Sequence, residues 1–285
     1  MGIGANAIAF ANVNGLRINV FANAKRNVED GSRKKTLGER VVEYNGTANG
    51  AFRVFQLIER TLKAVIVVLK KMGNAFHVPC QKFADKCMTA WTMLTIPRLF
   101  EVTRNMRQSW ANLKKQDQPG AIPGAFQRKA VDAAKNTFDA SAAYLYAASL
   151  ATGSIALKNA GDVPDLANNM LDARQRAQDY MLARKTAQAA AAEGVAPRVQ
   201  RALGYTQTYS FITLMKAVCS VASGALGLSL LAFGGPVLPA LALITVSLAS
   251  TVLSILGSFY KDGSPYEMID FFKTRHVQQV AAPVV

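Results

Sequence analysis

Between Lys216 and Lys261 the chain carries no charged residue. The stretch AVCSVASGALGLSLLAFGGPVLPALALITVSLASTVLSILGSFY is apolar or small throughout, and Gly234-Gly235-Pro236 is its obvious breaking point. That tripeptide separates an arm of 17 residues (217–233) from one of 24 (237–260). A hydrocarbon core of about 30 Å takes roughly 20 helical residues. The second arm spans it with some tilt, and Phe211, Ile212, Leu214 and Met215 lengthen the first upstream. Two arrangements satisfy such a pair: a core hairpin inside a soluble helical bundle, or two helices that enter a membrane and return.

Several features favour the membrane. Tyr205 and Tyr209 precede the first arm, and Phe259 and Tyr260 close the second, in the pattern of an interfacial aromatic belt. Lys216 is placed to snorkel to the headgroups, with Lys261 marking the other exit. Small residues recur four apart (Ser220 with Gly224, Ser223 with Gly227, Ser247 with Thr251, then Ser250, Ser254 and Ser258), which allows close helix approach where lipid gives no hydrophobic drive. The same faces offer a route to a homo-oligomer. Both flanks are basic: Arg198 and Arg201 before, Lys261, Lys273 and Arg275 after. Both ends are therefore expected on the cytosolic side, with Gly234, Gly235 and Pro236 as the far turn.

Composition narrows the partners. The chain is 51% hydrophobic and 18% charged, with 33 Lys and Arg against 18 Asp and Glu, a net charge of +15. Such a surplus favours an anionic partner. The basic residues are spread in ones and twos (Arg53, Arg60, Lys63, Lys70, Lys71, Lys82, Lys86) rather than gathered in a block. Anionic lipid headgroups are expected, and nucleic acid is not.

Chemistry-bearing motifs are few. The three cysteines form no disulfide framework, and Cys80 and Cys87, seven apart on a helix, stand about 10 Å apart, too far for a bridge. His77 with Cys80 and Cys87 lacks a fourth ligand and zinc spacing, which leaves two buried thiols beside a surface histidine. Phosphate loops and nucleophile elbows are missing. The expectation is a non-enzymatic protein with no cofactor and no metal.

Along the chain, residues 1–40 are read as a flexible segment, whose uncharged Gly/Asn/Ala-rich start also suits a type III secretion leader. A basic amphipathic helical region follows over 41–196, then the paired lobes over 197–262 and a tail over 263–285. In the second segment Phe52, Phe55, Ile58, Leu62, Val65, Leu69 and Met72 form one helical stripe, ended by Met72-Gly73-Asn74. A helix over 79–115 is interrupted at Pro97, and QDQPGAIPG forms a linker. A helix over 125–159 has a second half, ASAAYLYAASLATGSIAL, with no charge between Asp139 and Lys158. Its small residues suit a closely packed bundle helix better than a span. A further long helix is expected from Asp162, with Pro164 in its first turn and Gly194 as its stop. Strand-like alternation is scarce. The fold class is all-α, a helical bundle followed by a C-terminal transmembrane hairpin.

The paired lobes of YTQTYSFITLMKAVCSVASGALGLSLLAFGGPVLPALALITVSLASTVLSILGSFYKD resemble the bilobed hydrophobic domain of chlamydial inclusion membrane proteins. The likeness is one of hydropathy shape over 197–262. It implies type III export, insertion in the host vacuole (inclusion) membrane with both termini cytosolic, a host or bacterial protein partner, and a scaffolding or recruiting role. The basic amphipathic helices are also similar to the peroxins that elongate peroxisomal membranes. That similarity implies a wedge face at Phe52, Phe55, Ile58 and Leu62, against the alternative of an ordinary core element. The hairpin is similar, too, to the pair that colicin-type pore formers hide in a soluble bundle until they insert.

Overall fold

Thr36 and Glu39 open the first helix with a reciprocal cap: the Glu39 carboxylate accepts from the Thr36 N–H at 2.6 Å, and the Thr36 hydroxyl accepts from the Glu39 N–H at 3.3 Å. The computed structural model describes residues 7–13, 16–22, 36–45, 48–115, 125–233, 240–269, 271 and 277–279. Eight helices lie among them: α1 (Leu37–Asn45), α2 (Ala48–Lys71), α3 (His77–Met93), α4 (Thr95–Leu113), α5 (Ala125–Thr152), α6 (Ile155–Ala192), α7 (Pro197–Phe233) and α8 (Ala240–Gly263). The body is all-α, and its last two helices are the apolar pair. The expected turn, Gly234-Gly235-Pro236, lies outside the described residues.

The helix ends follow local chemistry. Gly73 and Gly194 adopt the left-handed conformation that stops α2 and α6, as the sequence predicts. A third such glycine, Gly153 (φ 68°), cuts the 125–159 segment in two. Accordingly α6 starts at Ile155, capped by the Ser154 hydroxyl on the Leu157 N–H, and not at Asp162. Pro164 stands inside α6, ten residues past the Ser154 cap and not in a first turn, so the Ala160 carbonyl receives no helical N–H from it. Pro97 falls in the first turn of α4, which the ring tolerates.

Consecutive long helices run back on one another. Arg128 pairs with Asp179, Lys135 with Asp172 at 2.7 Å, and the Tyr146 hydroxyl donates to Asp162 at 2.7 Å, so α5 and α6 are antiparallel. At Gly161 a Cβ would stand 2.8 Å from the Tyr146 ring, and glycine is what lets the two helices meet there. Along α6 and α7, Tyr180 stacks near Phe211 (5.6 Å between centroids) and Leu166 packs on Gly224. Helix α2 packs on α3 through Leu62, Ile66 and Leu69 against Cys80 and Ala84, and on its other side against α8.

A small sheet was not expected. Strands β1 (Ala7–Val13) and β2 (Leu16–Ala22) form an antiparallel hairpin with Val13 opposite Leu16, and β3 (Val277–Gln279) pairs with β2. The hairpin falls in the segment read as flexible, and it lies against α6 and α7. In LRINVFA, Leu16, Ile18 and Val20 alternate with Arg17, Asn19 and Phe21, a period-two signal too short to stand out against the Asn and Gly around it.

The tightest core sits where α6 turns into α7. Ala183, Ala190, Val199, Ala202, Leu203 and Phe271 are buried together, with Tyr266 and Ile269 packed on them. The chain beyond α8 therefore returns onto the base of α7, and the Ile269 N–H donates to Thr206 Oγ1 at 3.2 Å. Leu203 is fully buried in this cluster. Leu203→Ala is expected to cost about 2–5 kcal/mol, read as a drop in the thermal or urea midpoint of the purified protein.

Candidate functional site: the apolar hairpin and its polar seam

The two apolar helices meet through serines. Ser220 and Ser250 share a hydrogen bond at 2.7 Å and Ser223 and Ser247 one at 2.5 Å, which sets α7 and α8 antiparallel. The expected small-residue stripe is thus spent in part within the chain. Gly224 of that stripe faces Leu166 of α6, and Thr251 faces α2.

Two helices are long and apolar enough to cross a membrane, Pro197–Ser229 within α7 and Ala242–Gly263 within α8. A core helix of a soluble bundle passes the same test of length and composition, but it is mostly buried. Here only 6% of the apolar stretch of α7 and 17% of that of α8 are buried inside the protein. Phe211, Met215, Val218, Val252 and Leu256 are among the exposed apolar side chains. The pair is compatible with a membrane location.

At its base the hairpin gathers the expected aromatic anchors. Tyr205 lies 5.8 Å from Tyr260 and 6.1 Å from Tyr266, and Phe259 lies 5.5 Å from Tyr44 of α1. Tyr209 is half-buried nearby on α7, and Lys261 is exposed. Lys216 differs from its expected outward role: it lies among Asp172, Arg176 and Lys135 of the α5–α6 pair and Arg53 of α2.

The opposite side of the hairpin meets charge, which sequence reasoning missed. Arg60 of α2 reaches α8, donating from Nη1 to the Ser247 carbonyl at 2.6 Å and to the Thr251 hydroxyl. Around it stand Arg53 and Asp165, and Arg98 pairs with Asp139 at 2.8 Å. Glu59 is buried beside Arg60 and pairs with Lys63. The signal was present in Arg53 and Arg60, seven apart and so on one helix face, but a stripe of seven apolar residues on the same helix outweighed it.

That apolar stripe is turned inward in part. Phe52 is buried, with the Arg53 and Arg98 guanidiniums 5.6 and 5.7 Å from its ring centre, and Leu62 packs on the α3 cluster. Phe55 and Ile58 are half-buried. This is the placement of a core element. A wedge at these four residues would require α2 to leave its neighbours.

The seam is electrostatically costly. Burial, with Arg98 and Arg60 close by, pushes the Arg53 guanidinium down to about 10. Its Nη1 donates to Gln56 at 3.2 Å and its Nε has no hydrogen-bond partner. Burial also raises the Asp165 carboxyl, against the pull of Arg98 and with Asp139 and Asp162 adding to the rise. For Asp172, burial acts upward but Lys135 and Arg176 outweigh it and hold the carboxyl below its ordinary range.

Among the described residues no three His, Cys, Asp or Glu side chains gather as metal ligands. Cys80 and Cys87 are buried free thiols, and the His77 ring contacts the Asn74 carbonyl at 2.8 Å. No family model matches the chain, and neither a curated protein nor a solved structure matches it.

Two outcomes follow for the seam. Arg53→Met keeps the stem and removes a buried, poorly satisfied cation, so unfolding should require on the order of 1–3 kcal/mol more; a loss of stability in chemical denaturation would mean that an anion neutralises Arg53. Because the folded Asp172 carboxyl is depressed, its contribution is present above the unfolded value near 4 and is lost as pH falls through the folded one. Asp172→Asn should therefore flatten the acid limb of a stability–pH curve while leaving its alkaline side parallel to wild type.

Proposed function

We infer that this chain is a non-enzymatic membrane protein that enters the bilayer through the α7–α8 hairpin and presents its remaining helices as a scaffold or recruiting surface. One observation carries the reading: the outer faces of two helices of spanning length are left uncovered by the rest of the protein. The bilobed pattern suggests the host vacuole (inclusion) membrane, reached by type III export, with both termini cytosolic and a host or bacterial protein as partner. The surplus of Lys and Arg suits anionic headgroups. A homo-oligomer through the small-residue faces would have to share serines already used between α7 and α8.

A second observation bears on timing. Helix α2 runs along α8, and Arg60 is bonded to the middle of it. If the hairpin crossed the bilayer while α2 stayed in water, this contact would have to break. The arrangement therefore fits a docked form that precedes insertion, closer to the behaviour of a pore former than to a hairpin inserted at all times. The peroxin-like reading is less well supported, since Phe52 and Leu62 are packed.

Alkaline carbonate extraction followed by flotation tests the inference. The full-length protein should float with membranes, and complete release into the soluble fraction would overturn it. Arg60→Leu removes the bond to Ser247 and Thr251, so the fraction resisting extraction should rise severalfold in a timed liposome assay. An unchanged rate would return the choice to constitutive insertion.

A further inference from the structure

The second charge-free stretch of the sequence, residues 140–157, is not a span. Gly153 folds it back, so it forms the tip of the α5–α6 pair. The direction of packing decides where that tip points. Tyr180 meets Phe211 and Leu166 meets Gly224, so α6 and α7 run antiparallel over this length. From Leu166 back to Ile155 is about 16 Å of helix, and from Gly224 on to Phe233 about 14 Å. The α5–α6 tip and the far end of α7 thus finish at the same end of the body. Helix α2 ends there too, because Tyr44 lies by Phe259 and Arg60 by Ser247 and Thr251, which sets α2 antiparallel to α8.

This end has the chemistry of a surface meant for lipid. Leu150, Ile155, Met72 and Phe76 are exposed there, Ile155 by 73%. The hydroxyls of the α5–α6 turn are bonded within the chain: Ser149 Oγ donates to the Ser154 carbonyl at 2.8 Å, Thr152 Oγ1 to the Ala148 carbonyl at 2.8 Å, and Ser154 Oγ accepts from the Leu157 N–H at 3.4 Å. Such internal pairing is what a turn needs in order to leave water. At the same end of the body stand exposed Lys70, Lys71 and Lys158, the last 3.4 Å from Asp162. Lys158 lies three residues past Ile155, which limits entry to roughly 5–10 Å, the depth of the headgroup and acyl boundary.

We propose that this end of the body is a docking surface for an anionic bilayer: Leu150 and Ile155 embed at the acyl boundary while Lys70, Lys71 and Lys158 take the headgroups. The docked protein lands end-on, with the far ends of α7 and α8 already facing the membrane they are to enter. The proposal rests on the membrane reading of the hairpin and adds which surface makes first contact.

The test is co-sedimentation of the full-length protein with neutral and with phosphatidylserine-containing vesicles. The wild type should bind the anionic vesicles preferentially, and Leu150→Asp with Ile155→Asp should weaken that binding by at least about tenfold, as should Lys70→Glu with Lys71→Glu and Lys158→Glu. Reversing three exposed cations towards the other end (Arg184, Lys185 and Arg201, each to Glu) changes the net charge equally and should leave binding within about twofold. Circular dichroism of each variant guards against misfolding. Equal losses from both triple reversals would mean that net charge alone drives binding and would overturn the proposal. If the tip variants bind like wild type while the protein still resists carbonate, the docking end is wrong and the hairpin reading stands. Wild type that binds neither vesicle and is fully released by carbonate removes both.

Discussion

A guanidinium that reaches the backbone of an apolar helix is held by geometry as much as by charge. Arg60 donates to the Ser247 carbonyl and to the small, hydroxylated Thr251 one turn on, while Ser247 and Ser250 bond to serines of α7. The arrangement on the α2 side of the hairpin is organised around that contact. It fixes α2 against α8, places Phe52 under two guanidiniums, and brings Arg53 into the same crowded space. The outer faces of α7 and α8 are then left without protein partners, since the polar side is already occupied.

The antiparallel run of α5, α6 and α7 depends on a different balance. Its seams combine ion pairs (Arg128 with Asp179, Lys135 with Asp172) with contacts so close that Gly161 and Gly224 cannot easily be larger. Gln175 links the two kinds, accepting from Lys135 at 3.0 Å and donating to Asp132 at 2.8 Å. Polar staples that fix register suit a body that must hold its shape while one pair of helices remains only loosely covered.

Helical class, the apolar pair and the stops at Gly73 and Gly194 were legible because each is a strong local signal: period, length without charge, or a residue suited to positive φ. The register of α7 on α8 was half legible, since the serine stripe marked the close face without saying which serines meet. Three things were not. The turn at Gly153 was hidden because alanine and leucine on both sides are excellent helix formers, which outweighed the short Gly153-Ser154 stop-and-cap signal. The hairpin of β1 and β2 depends on packing against helices more than 130 residues away. The seam around Arg53 and Arg60 is a tertiary fact: a cation seven residues from another reads as a solvated face until a second helix covers it.

The return of the chain after α8 has a mechanical consequence. Phe271 and Ile269 fasten the segment beyond α8 to the foot of α7, next to Leu203 and Thr206, so both arms of the apolar pair are tied at one point. Arms joined at the foot cannot slide past each other along their axes. From Leu203 to Phe233 the tied pair reaches about 45 Å from that point. A small rotation at that foot would become a displacement many times larger at the far end, and it would have to release the contacts of α7 with α6 and of α8 with α2.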